Sequence, residues 1–171
     1  MTETSEAQAP ATFDVEIEKL VYGGDGLARL PDGRAVFVPF ALPGEQVRIA
    51  LVDDRKRFAR AALLEVLTPS PARITPRCTH YGLCGGCHLQ HMAYADQLAA
   101  KEAMLRDQLQ RIGGFSEPPM QPIVPSPEPW YYRNHIQFHL SEEGQLSYVA
   151  VGGEALLPIE ECYLPLDALN A

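Results

Sequence analysis

Hydrophobic and polar side chains alternate from Phe13 onward. Phe13, Val15 and Ile17 fall on one side of the chain and acidic residues fall on the other, which is the period of a half-buried β-strand. Further short apolar runs are separated by turn signals rich in glycine, proline and aspartate, and lie at 35–38, 47–52 and 61–67. Strands this short and evenly spaced, with no helix among them, predict a small closed β-barrel over residues 13–68.

The pattern changes character after the stiff segment Thr68-Pro69-Ser70-Pro71. Three cysteines crowd into a short loop, and apolar side chains then recur at roughly helical spacing at Tyr94, Leu98, Leu105, Leu109 and Ile112. This region, 69–117, is predicted to be a cysteine-rich loop followed by one long helix that ends at Gly113 and Gly114. The apolar stripe is interpreted as a packing face.

The last part of the chain returns to strand-like alternation. Residues 118–129 are rich in proline and predict an extended linker. Residues 130–140 alternate again, and 141–145 have the composition of a hairpin turn into a partner strand near 146–151. Residues 130–171 are therefore predicted to begin an antiparallel-sheet domain. With residues 1–12 as a disordered acidic tail, the predicted fold class is mainly β with one long helix, an α+β chain.

Composition adds a contrast in charge. The chain has 171 residues, of which 46% are apolar, so disorder along its whole length is excluded. A net charge of -8 argues against a nucleic-acid partner, but the average hides a basic middle, 55–111, between two acidic ends. No segment is apolar enough to span a membrane and the amino terminus has no secretory pattern, so a cytoplasmic protein is expected.

The four cysteines have the number and spacing of metal ligands. Cys78, Cys84 and Cys87 share one loop and Cys162 lies far along the chain. Clustered cysteines in a reducing compartment are more often metal ligands than disulfides. Four thiolates fit a 4Fe-4S cluster or zinc, and Gly85 and Gly86 favour the bulkier cluster because they let the backbone approach closely. Three nearby histidines could substitute as zinc ligands, His80, His88 and His91, but with four cysteines available they are expected to lie outside the ligand shell or at the surface.

These residues also resemble a known family. The segment CTHYGLCGGCHLQH over 78–91, with the helix that follows it and Lys101, is similar to the iron–sulfur region of the RNA uracil-5-methyltransferases. Residues 23–26, 36–39 and 42–45 resemble the preceding TRAM domain, a small RNA-binding barrel. Residues 130–134 resemble the start of the family's central domain, and 159–162 resemble the segment that carries the fourth cluster ligand.

The resemblance implies methyl transfer from S-adenosylmethionine to carbon 5 of a uridine in RNA. In the family a cysteine thiolate adds to carbon 6 of the base and a carboxylate later removes the carbon 5 proton. Those groups belong to a carboxy-terminal Rossmann-like domain, and no glycine-rich cofactor loop between a strand and a helix occurs in this sequence. We therefore assign no catalytic residue and expect this chain alone to be inactive. The alternative is a stand-alone RNA-binding module with a structural metal.

Five basic residues are candidates for phosphate contacts: Arg55, Lys56, Arg57, Arg60 and Arg133. For the first four the alternative is an ordinary solvated turn, and for Arg133 it is the polar face of a strand. Tyr22 and Phe58 are interpreted as barrel packing rather than as stacking platforms. The expected partner is RNA, and ribosomal rather than transfer RNA. The chain is expected to be a monomer and to work with a separate methyltransferase domain or subunit.

Overall fold

The computed structural model of the protein describes residues 10–153 and 155–169. They divide into two compact units, and the boundary between the units falls between Pro71 and Ala72. Most of the predicted amino-terminal tail, residues 1–9, lies outside the described residues. The tail was predicted to extend to residue 12, but the first strand already begins at Thr12, so the predicted tail is too long at its carboxy-terminal end.

The first unit is one curled sheet of six strands in the order β1-β5-β6-β4-β3-β2. All neighbouring strands are antiparallel except β4 and β6, which are parallel. The strands are β1 (Thr12–Glu16), β2 (Lys19–Leu20), β3 (Gly26–Arg29), β4 (Ala35–Val38), β5 (Gln46–Asp54) and β6 (Phe58–Thr68).

The curl of this sheet follows from its connectivity. The edge strands β1 and β2 are consecutive in the chain and are joined only by Ile17 and Glu18, so the two edges must come close together. No strand pairing joins β1 to β2 in the described residues, and the sheet is thus a half-barrel rather than the closed barrel that the sequence predicted. Its concave side holds the core, which includes Ile17, Val36 and Ile49.

Gly26 shows why the glycine-rich turn is needed. A Cβ atom at Gly26 would lie 2.9 Å from Cγ2 of Ile17 and 3.2 Å from the carbonyl oxygen of Ala41. Gly23 and Gly24 precede it with φ values of 99° and 95°. The sequence offered a tight turn or a close approach of the backbone, and the structure contains both.

The second unit has one long helix and a small antiparallel sheet. The helix α1 (Tyr94–Arg111) is followed by a mostly exposed proline-rich segment without regular structure. The sheet has the order β7-β8-β9 and consists of β7 (His139–Leu140), β8 (Leu146–Val149) and β9 (Leu156–Pro158). A short 3₁₀ helix, Asp167–Leu169, follows. No helix among the described residues is long and apolar enough to cross a membrane.

Two expectations for the second unit are wrong. The alternating stretch 130–140 forms a strand only at His139–Leu140, because Arg133 pairs instead with Pro165 in an isolated parallel bridge. The apolar stripe of α1 is not a buried packing face either, since no residue of the helix is fully buried. Leu105 and Ile112 are 52% and 76% exposed.

Candidate nucleic-acid interface and cysteine pocket

Four of the candidate phosphate ligands lie at the hairpin between β5 and β6. The amide of Arg55 donates a 3.0 Å hydrogen bond to the carbonyl oxygen of Phe58, which closes the turn. The Arg55 guanidinium forms an ion pair of 2.6 Å with Asp53. Arg34 pairs with Asp54 and donates a 2.6 Å hydrogen bond to the carbonyl oxygen of Arg55. Acidic residues thus compensate part of the positive charge of this hairpin.

Lys56 and Arg57 occupy the tip of the same hairpin and are exposed. Within the described parts of the chain, neither side chain forms an ion pair with a carboxylate. Their charges are therefore the least compensated of the basic group, and a phosphate would displace no protein partner from them.

Arg60 combines charge with an aromatic surface. It lies opposite Phe37 in the parallel pair of β4 and β6, and its guanidinium carbon is 5.8 Å from the centre of the Phe37 ring. Phe58 packs edge-on against the same ring at 6.0 Å. Asp25 is 3.5 Å from the Arg60 guanidinium. Arg60 is thus held over an aromatic pair and partly neutralised.

Tyr22 is more accessible than the sequence suggested. Its side chain is 82% exposed, so the interpretation as barrel packing is wrong. The position of Tyr22 directly before the glycine turn is the signal that would have indicated exposure. Phe58 is 37% exposed and packs on Phe37, so it has both a packed edge and an accessible one.

The other four candidates belong to the first unit. Arg133 belongs to the second unit, where it lies over the ring of Tyr132 at 5.9 Å and lines a pocket. Its backbone is fixed by a 2.9 Å hydrogen bond to the carbonyl oxygen of Leu164.

That pocket brings all four cysteines together. Cys78, Cys84, Cys87 and Cys162 all line it, and it encloses about 460 Å³ of empty space, part of it open to solvent. The four side chains are half-buried and none forms a disulfide. In the described ranges, no group of three or more His, Cys, Asp or Glu side chains is close enough to hold a metal ion. The thiols thus share one pocket without forming a closed ligand shell.

The loop that carries Cys84 is attached to the end of β8 by an isolated antiparallel bridge between Cys84 and Ala150. Gly85 donates a 3.0 Å hydrogen bond to the carbonyl oxygen of Val149, and Val151 donates a 2.8 Å hydrogen bond to that of Leu83. A Cβ atom at Gly85 would lie 3.0 Å from the Val149 oxygen, so the close approach depends on glycine.

Gln90 contacts two of the cysteines. It is buried, and its side-chain oxygen accepts a 3.3 Å hydrogen bond from the amide of Cys78. Burial, the largest effect, raises the pKa of Cys87 overall, and a hydrogen bond to the Gln90 side chain lowers it in part. The sequence placed Gln90 inside the motif 78–91 but indicated no role for it, because a glutamine is not a ligand of the expected cluster.

Burial favours the protonated form of two of the thiols. It raises the pKa of Cys87 and of Cys162, and the neighbouring thiols add to both shifts. Burial also raises the pKa of Tyr148, which lines the pocket, to about 12. Because a metal binds thiolates, binding here would expel protons.

The donor set fits a metal or cluster that prefers sulfur. Four thiols line one pocket, and two glycines, Gly85 and Gly86, leave room beside Cys84. Of the alternative histidine ligands, His80 also lines the pocket. His91 is buried, and its Nδ1 forms a hydrogen bond with the hydroxyl of Tyr81. His88 is exposed, and its carbonyl oxygen accepts a 2.8 Å hydrogen bond from the Tyr81 hydroxyl.

Comparison with known proteins relates both regions to RNA modification. Residues 10–64 match the TRAM domain family. A protein named as an uncharacterized RNA methyltransferase from Aquifex aeolicus is 40% identical over 154 residues, which are 90% of this chain and 36% of that protein. The 23S rRNA (uracil(1939)-C(5))-methyltransferase RlmD of Aeromonas salmonicida is 41% identical over 166 residues, 95% of this chain and 38% of the relative.

A solved structure agrees with these relatives. The tRNA (uracil-54, C5)-methyltransferase of Pyrococcus abyssi, crystallised with S-adenosyl-L-homocysteine, matches with a TM-score of 0.59 and 26% identity, over 91% of this chain and 34% of that one. The chain spans about a third of the length of the relatives it matches. It therefore contains a TRAM domain and is homologous, over about nine-tenths of its own length, to RNA uracil-5-methyltransferases.

Proposed function

We propose that this chain is the RNA-recognition and cluster-binding part of an S-adenosylmethionine-dependent RNA uracil-5-methyltransferase. Ribosomal RNA is the proposed substrate and the cytoplasm the proposed location. The single observation that carries the proposal is the convergence of four thiols, one of them far away in sequence, on a pocket in the same chain as a TRAM domain.

The proposed cofactor is a 4Fe-4S cluster held by Cys78, Cys84, Cys87 and Cys162. Such a cluster would contribute mainly to folding. The second unit needs such a contribution, because its buried apolar side chains other than proline are, among the described residues, Met92 and Leu164. A unit with so small a core depends on a metal or a comparable crosslink.

Metal analysis tests the cluster directly. An anaerobic preparation should be brown and contain about four irons and four sulfides per chain. Cys162→Ser should lower the iron content, whereas the matched change Ser147→Ala, at a buried serine outside the pocket lining, should not. Stoichiometric zinc without iron would contradict the cluster and leave zinc as the ligand.

The proposed RNA surface is the β5–β6 hairpin with the aromatic side chains beside it, a combination typical of single-strand binding. Lys56 and Arg57 are proposed to contribute most of the electrostatic attraction, since Arg55 and Arg60 have acidic partners. Tyr22 and Phe58 are proposed to stack on bases.

Salt titration separates these contributions. Replacing both Lys56 and Arg57 by alanine should reduce the slope of log K against log salt by about 1.4, which is two phosphate contacts to single-stranded RNA. Arg48→Gln is the matched control, because Arg48 belongs to the same unit and is already bound to Asp14 and Glu65. An unchanged slope in the double variant would exclude the hairpin tip as the phosphate-binding surface.

A further inference from the structure

Arg77 directly precedes Cys78 and lies against three aromatic rings from two distant segments. Its guanidinium carbon is 4.2 Å from the centre of the Tyr163 ring, 5.2 Å from that of Tyr131 and 5.7 Å from that of Trp130. Its Nη2 also donates a 3.0 Å hydrogen bond to the hydroxyl of Tyr131. The contact thus combines cation–π attraction with a directed hydrogen bond, for which a planar guanidinium is suited.

The rings around Arg77 are fixed by each other. Trp130 and Tyr131 pack edge-on against Tyr163, at 6.3 and 6.0 Å between ring centres. The amide of Tyr131 donates a 2.8 Å hydrogen bond to the carbonyl oxygen of Tyr163, and the Tyr163 hydroxyl donates one of 2.7 Å to Glu161. Tyr131 has a φ of 53°, which a tyrosine adopts only where its surroundings hold it.

The contact joins the two cysteines that are farthest apart in sequence. Arg77 directly precedes Cys78 and Tyr163 directly follows Cys162. The contact between Arg77 and Tyr163 therefore holds the segments of these two cysteines together. Closing so long a loop costs conformational entropy, which a metal would otherwise have to offset. Bringing Cys84 and Cys87 close to Cys78 adds little to this cost, because the three cysteines lie in one loop.

We propose that Arg77 is a positioning residue that holds the Cys78 loop against the Cys162 segment before any metal binds. The inference rests on the proposed function in that bringing these thiols together serves metal binding. Arg77 does not itself line the pocket; it acts through the three rings, of which Tyr163 is part of the pocket lining.

The test measures how often Cys78 and Cys162 meet in metal-free protein. In the full chain with Cys84→Ser and Cys87→Ser, equilibration with reduced and oxidised glutathione gives the effective concentration of the two remaining thiols by mass spectrometry. Adding Arg77→Met should lower it by about three- to tenfold. Arg77→Lys, which keeps the charge without the planar fork, should give an intermediate value.

Arg106→Met is the matched control and should change nothing. Arg106 is an arginine of the same unit, and it pairs with Glu102 on α1. Equal effective concentrations with and without Arg77 would overturn the proposal, and so would the absence of the Cys78–Cys162 disulfide in the chain with Arg77 intact.

Two further readouts keep the outcomes distinct. Trp130 is the single tryptophan of the chain, so its emission should shift in Arg77→Met at unchanged circular dichroism. This separates unfolding from loss of the Arg77 cage, the contact of Arg77 with Trp130, Tyr131 and Tyr163. A chain with four cysteines that binds no metal would refute the proposed cluster but leave the glutathione result intact.

Discussion

Glu45 is a buried carboxylate that connects two ends of the first unit. Its side chain is completely buried. One carboxylate oxygen accepts a 2.8 Å hydrogen bond from the amide of Leu42, at the turn before β5, and the other accepts one of 3.1 Å from the amide of Ser70, after β6. We predict that replacing Glu45 destabilises the half-barrel specifically.

The magnitude follows from the two amides that lose their acceptor. A buried donor without a partner costs about 1–3 kcal/mol, so Glu45→Ala should cost about 2–6 kcal/mol before relaxation. The amide of Ser70 is only part-buried, so water can replace some of its lost acceptor, which leaves about 2–4 kcal/mol. Glu45→Gln keeps one acceptor but turns an NH₂ group toward the other amide, and should cost about 1–3 kcal/mol.

Amide hydrogen exchange of the full chain measures this change residue by residue. The slowest amides of β4 and β5 report opening of the whole sheet, and a loss of 2–4 kcal/mol should accelerate their exchange by about 30- to 900-fold. The amides of Leu42 and Ser70 should be accelerated at least as much.

Glu65→Gln provides the control on the same sheet. Its side chain is 58% exposed and lies 3.3 Å from Arg48, so its loss should cost at most about 1 kcal/mol. If Glu45→Ala exchanges no faster than Glu65→Gln, the two hydrogen bonds do not support the fold and the reasoning is refuted.

Two more predictions concern one close contact and one ion pair. Gly85→Ala should weaken the attachment of the Cys84 loop and lower the metal content, because the new Cβ would lie 3.0 Å from the Val149 oxygen. The neighbouring Gly86→Ala is the control and should retain more metal, because its Cβ would meet only the Cys84 sulfur, at 3.4 Å. Equal metal content would contradict this. Hydrogen bonds from Arg48 lower the pKa of Asp14, so the pair stabilises the fold above the unfolded-state pKa and the contribution disappears as pH falls through the folded-state pKa. Carboxyl NMR titration should return the Asp14 pKa to its ordinary value in Arg48→Met, and an unchanged pKa would refute the pairing.

The strands of the first unit were predictable because their signals are local. Alternation at Phe13–Ile17 and the short apolar runs correspond to β1, β4, β5 and β6, since one buried face imposes a period of two. Whether the sheet closes into a barrel was not predictable in the same way. Whether the edges β1 and β2 pair depends on the curl of the whole sheet, and no run of residues encodes that directly.

The failures in the second unit have a common physical cause. Alternation over 130–140 shows only that polar and apolar side chains follow a period of two. A strand also needs a neighbouring strand with which every other residue forms backbone hydrogen bonds. Arg133 finds its partner in Pro165 and the pairing stops there. The helix was correctly located, but its stripe at Leu105 and Ile112 remains exposed, because periodicity identifies an apolar face without showing what covers it.

If a cluster is bound as proposed, its removal should destabilise the second unit more than the first, because the two units are stabilised differently. The first has an apolar core of its own that includes Ile17, Val36 and Ile49, whereas the second relies on backbone pairing, the Arg77 cage and the proposed cluster. Anaerobic chelation should therefore speed amide exchange around 78–92 and 162–166 and leave residues 12–68 unchanged. The Arg77 cage would still bring Cys78 near Cys162 transiently, so the second unit should open more often rather than unfold completely. Equal acceleration of amide exchange in both units would mean that the proposed cluster does not specifically stabilise the second unit.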